Sequence, residues 1–331
     1  MIRVALDALG GDLGYTTRLH GALDAVKSNK DIHITVTGDH DQIEKALRQE
    51  CFFACRDRFS IFHAPDSFPM DETPSKILRF GQSTSLYQSI QLVKDHTCDA
   101  IVSAGNTGAQ MAASLFLLGR ITGISRPGIA IPFPTNKGVC TLLDAGAHLD
   151  SKPQNLLEYA IMGSTYHSLM FSCPTPNVAI INNGSEPSKG NCLTKASYKL
   201  LSEHLPETFR GYIEGRDLFQ GDIQVMVCDG FVGNVILKTV EGSMQFIKEF
   251  FKEEIGSSLK HKMGGMLLKD SFSSLKQTLD YREYGGSPLL GVKEISIICH
   301  GSSDRLAIKN AILQSAKLHQ LHFIQKLTPV S

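Results

Sequence analysis

The residues able to do chemistry cluster in short glycine-rich stretches, each placed directly after a run of β-branched residues. Asp7-Ala8-Leu9-Gly10-Gly11-Asp12 follows one such run, and Ser103-Ala104-Gly105-Asn106-Thr107-Gly108-Ala109 follows another. Asp144-Ala145-Gly146-Ala147-His148, Asn182 to Asn191, Asp229-Gly230-Phe231-Val232-Gly233-Asn234 and His300-Gly301-Ser302-Ser303 repeat the pattern. Glycine after a strand lets backbone approach a ligand closely, and the helix that follows offers free N–H groups to an anion. Taken singly, each stretch is also an ordinary turn. Together they bring the donors Asn106, Thr107, Asn183, Asn191, Asn234, Ser302 and Ser303 alongside one glycine-flanked cation, Lys189. Such a set suits holding an oxyanion and stabilising negative charge as it develops, with no covalent enzyme intermediate. Asp12, Asp144 and Asp229 end or follow strands and are read as helix caps or as residues that orient donors.

Absent motifs narrow the chemistry. G-x-x-x-x-G-K-[ST] is missing, as is G-x-G-x-x-G after the first strand, where Gly10-Gly11 is too close-set. G-x-S-x-G and H-E-x-x-H are missing too, and no metal-ligand spacing stands out. The eight cysteines form no C-x-x-C pair and mostly lie in apolar runs, so they are read as reduced, largely buried thiols.

The elements that must carry these loops alternate. Arg3–Asp7, Ile32–Thr37, Ser60–His63, Ala100–Ser103, Val139–Asp144, Val178–Asn182, Ile223–Cys228 and Glu294–Cys299 read as strands. Gln42–Arg48, Ser85–Asp95, Leu156–Ser168 and Glu241–Glu254 read as amphipathic helices between them. This alternation predicts an α/β fold: a mostly parallel sheet covered by helices on both faces, in one unit with two lobes spanning 1–331. In such sheets ligands bind at the carboxyl ends of the strands. Lys+Arg and Asp+Glu balance at 33 each, which argues against nucleic acid held by bulk charge. No stretch approaches the ~20 apolar residues needed to span a bilayer. The amino-terminal residues carry charge at Arg3 and Asp7 and do not read as a signal peptide, so a cytoplasmic location is expected.

MIRVALDALGGD, DAIVSAGNTGA, LLDAGAHLD, INNGSEPSKGN, IEGRD, VCDGFVGNVILKTVEG, YGGSPLLGV and HGSS occur in the order found in the PlsX family of bacterial phosphate acyltransferases, which the chain resembles from residue 2 to about 315. The resemblance implies an isocitrate/isopropylmalate-dehydrogenase-like fold, a homodimer, and no nicotinamide, metal or other cofactor. It implies transfer of a fatty acyl group from acyl carrier protein to inorganic phosphate, the acyl phosphate then passing to a membrane glycerol-3-phosphate acyltransferase in phospholipid synthesis. On that reading Lys189 and the backbone of Gly105–Gly108 cradle phosphate, with Ser103, Thr107 and Gly190 in the cradle. Asn106 and Asn234 donate to phosphate or thioester oxygens, and Asp12, Asp144, Asp229, His300 and Ser302 support them.

The chain departs from the family pattern at four places. Leu9 replaces a methionine, His148 stands where asparagine follows Gly-Ala, Asn183 replaces an apolar residue, and the stretch 79–86 is less basic than usual. Residues 241–284 read as a helical segment for the dimer interface, with Met244, Phe246, Ile247, Phe250 and Phe251 at helical spacing. Lys260, Lys262, Lys269 and Lys276, beside Met263, Met266, Leu267 and Leu268, suit docking of the acidic acyl carrier protein or peripheral contact with a membrane. Two other readings remain: an NAD(P)-dependent hydroxy-acid dehydrogenase of related fold, which needs clustered acidic metal ligands, and a non-catalytic protein that binds phosphate or acyl carrier protein.

Overall fold

A computed structural model describes residues 1–268 and 284–327. The chain builds two sheets rather than one. The first is ordered β3 (Phe59–His63), β2 (Ile32–Gly38), β1 (Ile2–Asp7), β4 (Ala100–Ser103), β12 (Ile295–Ile298), β11 (Ser287–Leu290) and β5 (Gly128–Ile129). It is parallel from β3 to β12, and β11 runs antiparallel to both its neighbours. The second is ordered β6 (Ile131–Thr135), β7 (Gly138–Leu143), β10 (Val225–Val227), β8 (Val178–Ile181) and β9 (Phe209–Ile213), parallel except for β6 against β7.

The helices are α1 (Gly14–Ser28), α2 (His40–Leu47), α3 (Ile77–Phe80), α4 (Ser85–Lys94), α5 (Thr107–Leu117), α6 (Pro153–Phe171), α7 (Cys192–His204), α8 (Gly230–Gly256), α9 (Leu259–Leu267), α10 (Arg305–Gln320) and α11 (Phe323–Lys326).

The period-two alternation of strands decides which layer each side chain joins. In β1, Val4 and Leu6 enter a core shared with α1, α6 and α10, whereas Ala5 points to the opposite core against α4 and α5. In the second sheet Val225 and Val227 join that same shared core, while Met226 faces Val232, Ile236, Leu237 and Val240 of α8. Each sheet is thus sandwiched between helices, and one continuous core runs beneath both. Fully burying each such aliphatic side chain is worth about 1.5–3 kcal/mol.

All eight predicted strands are present. The four that sequence reading missed carry strand-unfriendly residues or are very short. β6 holds two prolines and β11 one, β9 contains Gly211 at φ +84°, and β5 has two residues. These strands also make the passage between lobes: β5 closes the first sheet and β6, one residue later, opens the second.

Candidate active site

Because β1, β4 and β12 are neighbours, the loops after them meet at one edge of the first sheet. Asp7 ties them together. Its fully buried carboxylate accepts the N–H groups of Leu9 and Gly10 at 3.2 and 3.1 Å and the Ser85 hydroxyl at 2.6 Å through Oδ1. Through Oδ2 it accepts the Ser103 hydroxyl at 2.6 Å. Ser103 Oγ in turn accepts the Gly105 N–H at 2.9 Å. Gly10 has to be glycine: a Cβ there would lie 2.4 Å from Asp7 Oδ2 and 2.7 Å from the Gly105 nitrogen. The β12 loop joins through the Asp12 N–H, donated to the Gly301 carbonyl at 2.9 Å, and His300 Nδ1 lies 2.7 Å from Ser302 Oγ.

Several donors expected to meet substrate are committed inside the protein. Asn106 Oδ1 caps α5 by accepting the Ala109 N–H at 2.9 Å. Its Nδ2 donates to the Pro69, Met70 and Glu72 carbonyls at 3.3, 3.0 and 3.1 Å. Asn106 therefore clasps the 69–72 segment and has no amide hydrogen left over in this state. Ser103 and the Gly105 N–H are likewise satisfied by one another and by Asp7. The N–H groups of Thr107 and Gly108, in the first turn of α5, have no acceptor among the described residues. Pro69 and Glu72 also line an open cleft of about 560 Å³, together with Phe68, Lys76, Phe80 and Thr84.

The second sheet repeats the device. β7, β10 and β8 are neighbours, and Asp144, fully buried, organises the loop after β7. Its Oδ1 accepts the Ile129, Gly146 and Ala147 N–H groups at 3.0, 3.1 and 2.9 Å, and its Oδ2 accepts that of His148 at 2.8 Å. Burial pushes the Asp144 carboxyl up, against the downward pull of these four donors. Asp229 caps α8 by accepting the Val232 N–H at 2.9 Å, and the Gly230 N–H donates to the His148 carbonyl at 2.8 Å. The first turn of α8 is pressed so hard on this loop that a Cβ at Gly233 would lie 1.9 Å from the Asp144 carbonyl oxygen. One residue on, the exposed Asn234 packs its side chain on Gly146, with its Cγ 3.6 Å from where a Cβ would stand. His148, half-buried, has its imidazole held below the usual histidine range by burial first and by Arg126 second.

Lys189 is exposed on the loop after β8 and pairs with no carboxylate among the described residues. Its stem lies over Gly184, where a Cβ would be 2.8 Å from Lys189 Cγ. Gly190 sits at φ +96° against the Asn182 amide and Thr194 Oγ1, and Asn191 caps α7 by accepting the Thr194 N–H at 2.9 Å. The two loop sets approach each other at the seam between the lobes, where Ala145 and Ala147 pack with Ile129, Val292, Ile298 and Met111.

Ser103, Gly105, Asn106, Asp12 and the 300–302 loop are thus gathered on one lobe, and Asp144, Asp229 and Asn234 on the other. No hydrogen bond or ion pair among the described residues joins Lys189 to either group. Lys260, Lys262, Met266 and Leu267 lie far along the chain on α9, all exposed, and Lys269 and Lys276 fall outside the described residues. Sequence reading quoted Asp7 in a motif without giving it a role and overlooked Ser85 and Arg18. Asp7 ends a strand and precedes two glycines, which was signal enough; Ser85 and Arg18 reach the site only through tertiary packing.

The thiols just past the ends of β10 and β12 are poor nucleophiles, since burial pushes Cys299 to about 12 and Cys228 well above its ordinary value. What the loops present instead is unpaired N–H groups at the start of α5, the exposed Asn234 amide and, apart from both, the exposed Lys189, donor types that suit acyl or phosphoryl transfer by positioning. Comparison with known proteins gives the family. A phosphotransacetylase from Streptococcus pyogenes shares the fold with a TM-score of 0.63 at 15% identity, over 96% of this chain and 94% of its own. Proteins named phosphate acyltransferase are 47% identical in Desulforamulus reducens, over 94% of this chain and 92% of that one, and 41% identical in Clostridium tetani, over 98% and 97%. The chain is an acyltransferase of the α/β class. It belongs to the phosphate acyltransferase family, whose family model, described as a fatty acid synthesis protein, matches residues 2–326.

Proposed function

We propose that this protein transfers a fatty acyl group from acyl carrier protein to inorganic phosphate, giving an acyl phosphate for glycerol-3-phosphate acylation. Acyl transfer to phosphate follows from the family; the carrier protein, the onward use of the product and the residue roles are our reading. A phosphate oxygen attacks the thioester carbonyl carbon, the carbonyl electrons move onto oxygen, and the tetrahedral intermediate collapses with loss of the C–S bond. The proton carried by hydrogen phosphate goes to the departing thiolate, so the products are acyl phosphate and free thiol. Phosphate is already the nucleophile, so the protein has to place it, hold the donor and stabilise the oxyanion. Positioning of this kind contributes ~7–11 kcal/mol and one oxyanion donor about 2.7–4 kcal/mol.

Phosphate is assigned to the edge formed by the β1, β4 and β12 loops, where Thr107 and Gly108 offer free N–H groups at the start of α5. Ser103, Gly105 and Asn106 shape that edge and do not donate from it, and Asp12, His300 and Ser302 hold the adjoining loop. Lys189, with Gly190 behind it, and Asn234 are assigned to the developing charge across the seam, supported by Asp144 and Asp229. The observation that carries the reading is the family match over residues 2–326, supported by free N–H groups at the start of α5 beside the β1, β4 and β12 loops. Among the described residues no three His, Cys, Asp or Glu side chains are placed to hold a metal ion together.

The exposed apolar face of α8, with Phe246, Ile247 and Phe250, is assigned to a homodimer interface. Met266, Leu267 and Leu268, exposed at the end of α9 beside Lys260 and Lys262, are assigned to carrier-protein docking or to contact with a membrane surface. No helix among the described residues is long and apolar enough to cross a membrane. The test is phosphate-dependent release of free thiol from acyl-acyl carrier protein, run beside acyl-coenzyme A. Release from acyl-acyl carrier protein, lost at least 100-fold in Lys189→Ala, is the expected result; release from neither donor overturns the proposal.

A further inference from the structure

Arg18, on the first turns of α1, is the largest fully buried side chain in the protein and is 0% exposed. Its Nη1 donates to the Gly14 carbonyl at 2.5 Å, while Nε and Nη2 have no hydrogen-bond partner among the described residues. No carboxylate among the described residues lies within ion-pairing distance of it. The carboxylates close enough to act on it electrostatically are Asp7 and Asp12. Asp7 is already saturated by Leu9, Gly10, Ser85 and Ser103. A buried cation left with two idle donors is costly and calls for an explanation beyond packing.

Its position supplies one. A Cβ at Gly11 would lie 2.4 Å from Arg18 Nη2, 2.6 Å from the Ala104 carbonyl oxygen and 2.8 Å from the Gly301 carbonyl oxygen. The guanidinium therefore sits directly beneath the point where the β1, β4 and β12 loops touch. Gly11, at φ +83°, is the residue that allows the first loop to pass over it.

We infer that Arg18 is a positioning residue for phosphate: a fixed positive charge under the loop junction, in no ion pair among the described residues and with donors to spare, that holds the dianion on this edge. The inference rests on the assignment of phosphate to the β1, β4 and β12 loops. A charge in a dry interior acts far more strongly than one in water, and here it needs no reorganisation when substrate arrives. It acts through the loop, so it tunes phosphate affinity more than the chemical step. Retaining it costs stability, as fixed charges at functional sites commonly do.

The test compares Arg18→Met and Arg18→Lys with wild type in phosphate-dependent thiol release from acyl-acyl carrier protein, together with thermal melting. Arg18→Met is expected to raise the KM for phosphate at least tenfold, about 1.4 kcal/mol. Its kcat should stay within threefold and its Tm at or above the wild-type value. Arg18→Lys should recover most of the phosphate KM. A phosphate KM within twofold of wild type in Arg18→Met refutes the inference and leaves the function standing. So does a raised KM that comes with a lowered Tm and is not recovered by lysine, the mark of a structural role. If Arg18→Met does not fold, Arg18→Gln against Arg18→Lys gives the same contrast in KM. Absence of phosphate-dependent release in wild type refutes the function itself, a distinct result.

Discussion

Gly233→Ala is the sharpest probe of how the second lobe works. The added methyl would stand 1.9 Å from the Asp144 carbonyl oxygen, 2.9 Å from the Asp144 carbonyl carbon and 3.1 Å from Ala145 Cα. These are backbone atoms, and Asp144 is held by Ile129, Gly146, Ala147 and His148, so the loop cannot yield cheaply. Restoring ordinary contact requires the first turn of α8 to move away by roughly 1–1.5 Å, given carbon–carbon optima near 3.5–4.0 Å. Overpacking of this kind costs about 1–3 kcal/mol, which a folded α/β protein survives.

The functional cost should be larger. Asn234 follows Gly233 directly and rests on Gly146, so it travels with the helix. A displacement near 1 Å at a positioned group lowers turnover about 100-fold. We expect kcat for phosphate-dependent thiol release to fall by that order in Gly233→Ala while the protein remains folded by circular dichroism. Gly256→Ala is the control: it lies at the far end of the same helix with open space around it and should leave activity unchanged. Turnover within threefold of wild type in Gly233→Ala would refute the claim that Asn234 must sit against the β7 loop.

Three further outcomes are expected. Asn106→Ala removes the α5 cap and the clasp on Pro69, Met70 and Glu72, so stability should fall by about 2–3 kcal/mol; a melting temperature within 1 °C of wild type contradicts this. His167 is buried beside Thr141, and burial holds its imidazole at about 4. An unfolded histidine titrates near 6.5, so the unfolded chain takes up the extra proton first. Stability is then intact above pH 6.5 and declines between pH 6.5 and 4, by up to ~3 kcal/mol. Urea denaturation across that range should show the slope in wild type and lose that part of it in His167→Gln. Finally, Cys51 and Cys192 are exposed whereas Cys98, Cys140, Cys228 and Cys299 are buried. A thiol reagent should label Cys51 and Cys192 rapidly in the native state and reach the buried set only on unfolding, as peptide mapping would report.

The strands were legible because each buried one is an uninterrupted β-branched run, and their glycine-rich sequels marked the functional edge. The two-sheet division was not. It depends on β5, β6, β9 and β11, where proline, glycine or brevity hides the pattern, and on which strands pair, which no local signal carries. Among site residues, the aspartates were readable as anchors because Asp144 and Asp229 stand where a strand ends and a helix or tight loop begins. Asn106 illustrates the limit. Its type and place fit a substrate donor, yet its amide is engaged by carbonyls 34 to 37 residues away in sequence. Ser85 and Arg18 were invisible for the same reason, since each becomes part of the site only through its contacts with other loops.

The two lobes repeat one construction, which the proposed function turns to different ends. On both, a buried aspartate at a strand end gathers backbone N–H groups and fixes a glycine loop, so that the loop's shape does not depend on bound substrate. Around Asp7, though, most side-chain donors are consumed in that task, leaving backbone N–H groups and the concealed Arg18. Around Asp144 the backbone is consumed, and the exposed side chains nearby, Asn234 and the separate Lys189, remain unengaged. A rigid cradle of backbone and buried charge suits a small symmetric anion, whose oxygens present the same geometry in every orientation. Exposed side-chain donors suit a charge that develops during reaction, because they can be aimed at an oxygen as it passes from carbonyl to oxyanion. The division predicts which parameter each lobe governs. Substitutions under the β1, β4 and β12 loops should act on the KM for phosphate, and substitutions at Lys189 and Asn234 on kcat. A uniform loss of both parameters from either lobe would mean that the seam is one undivided site.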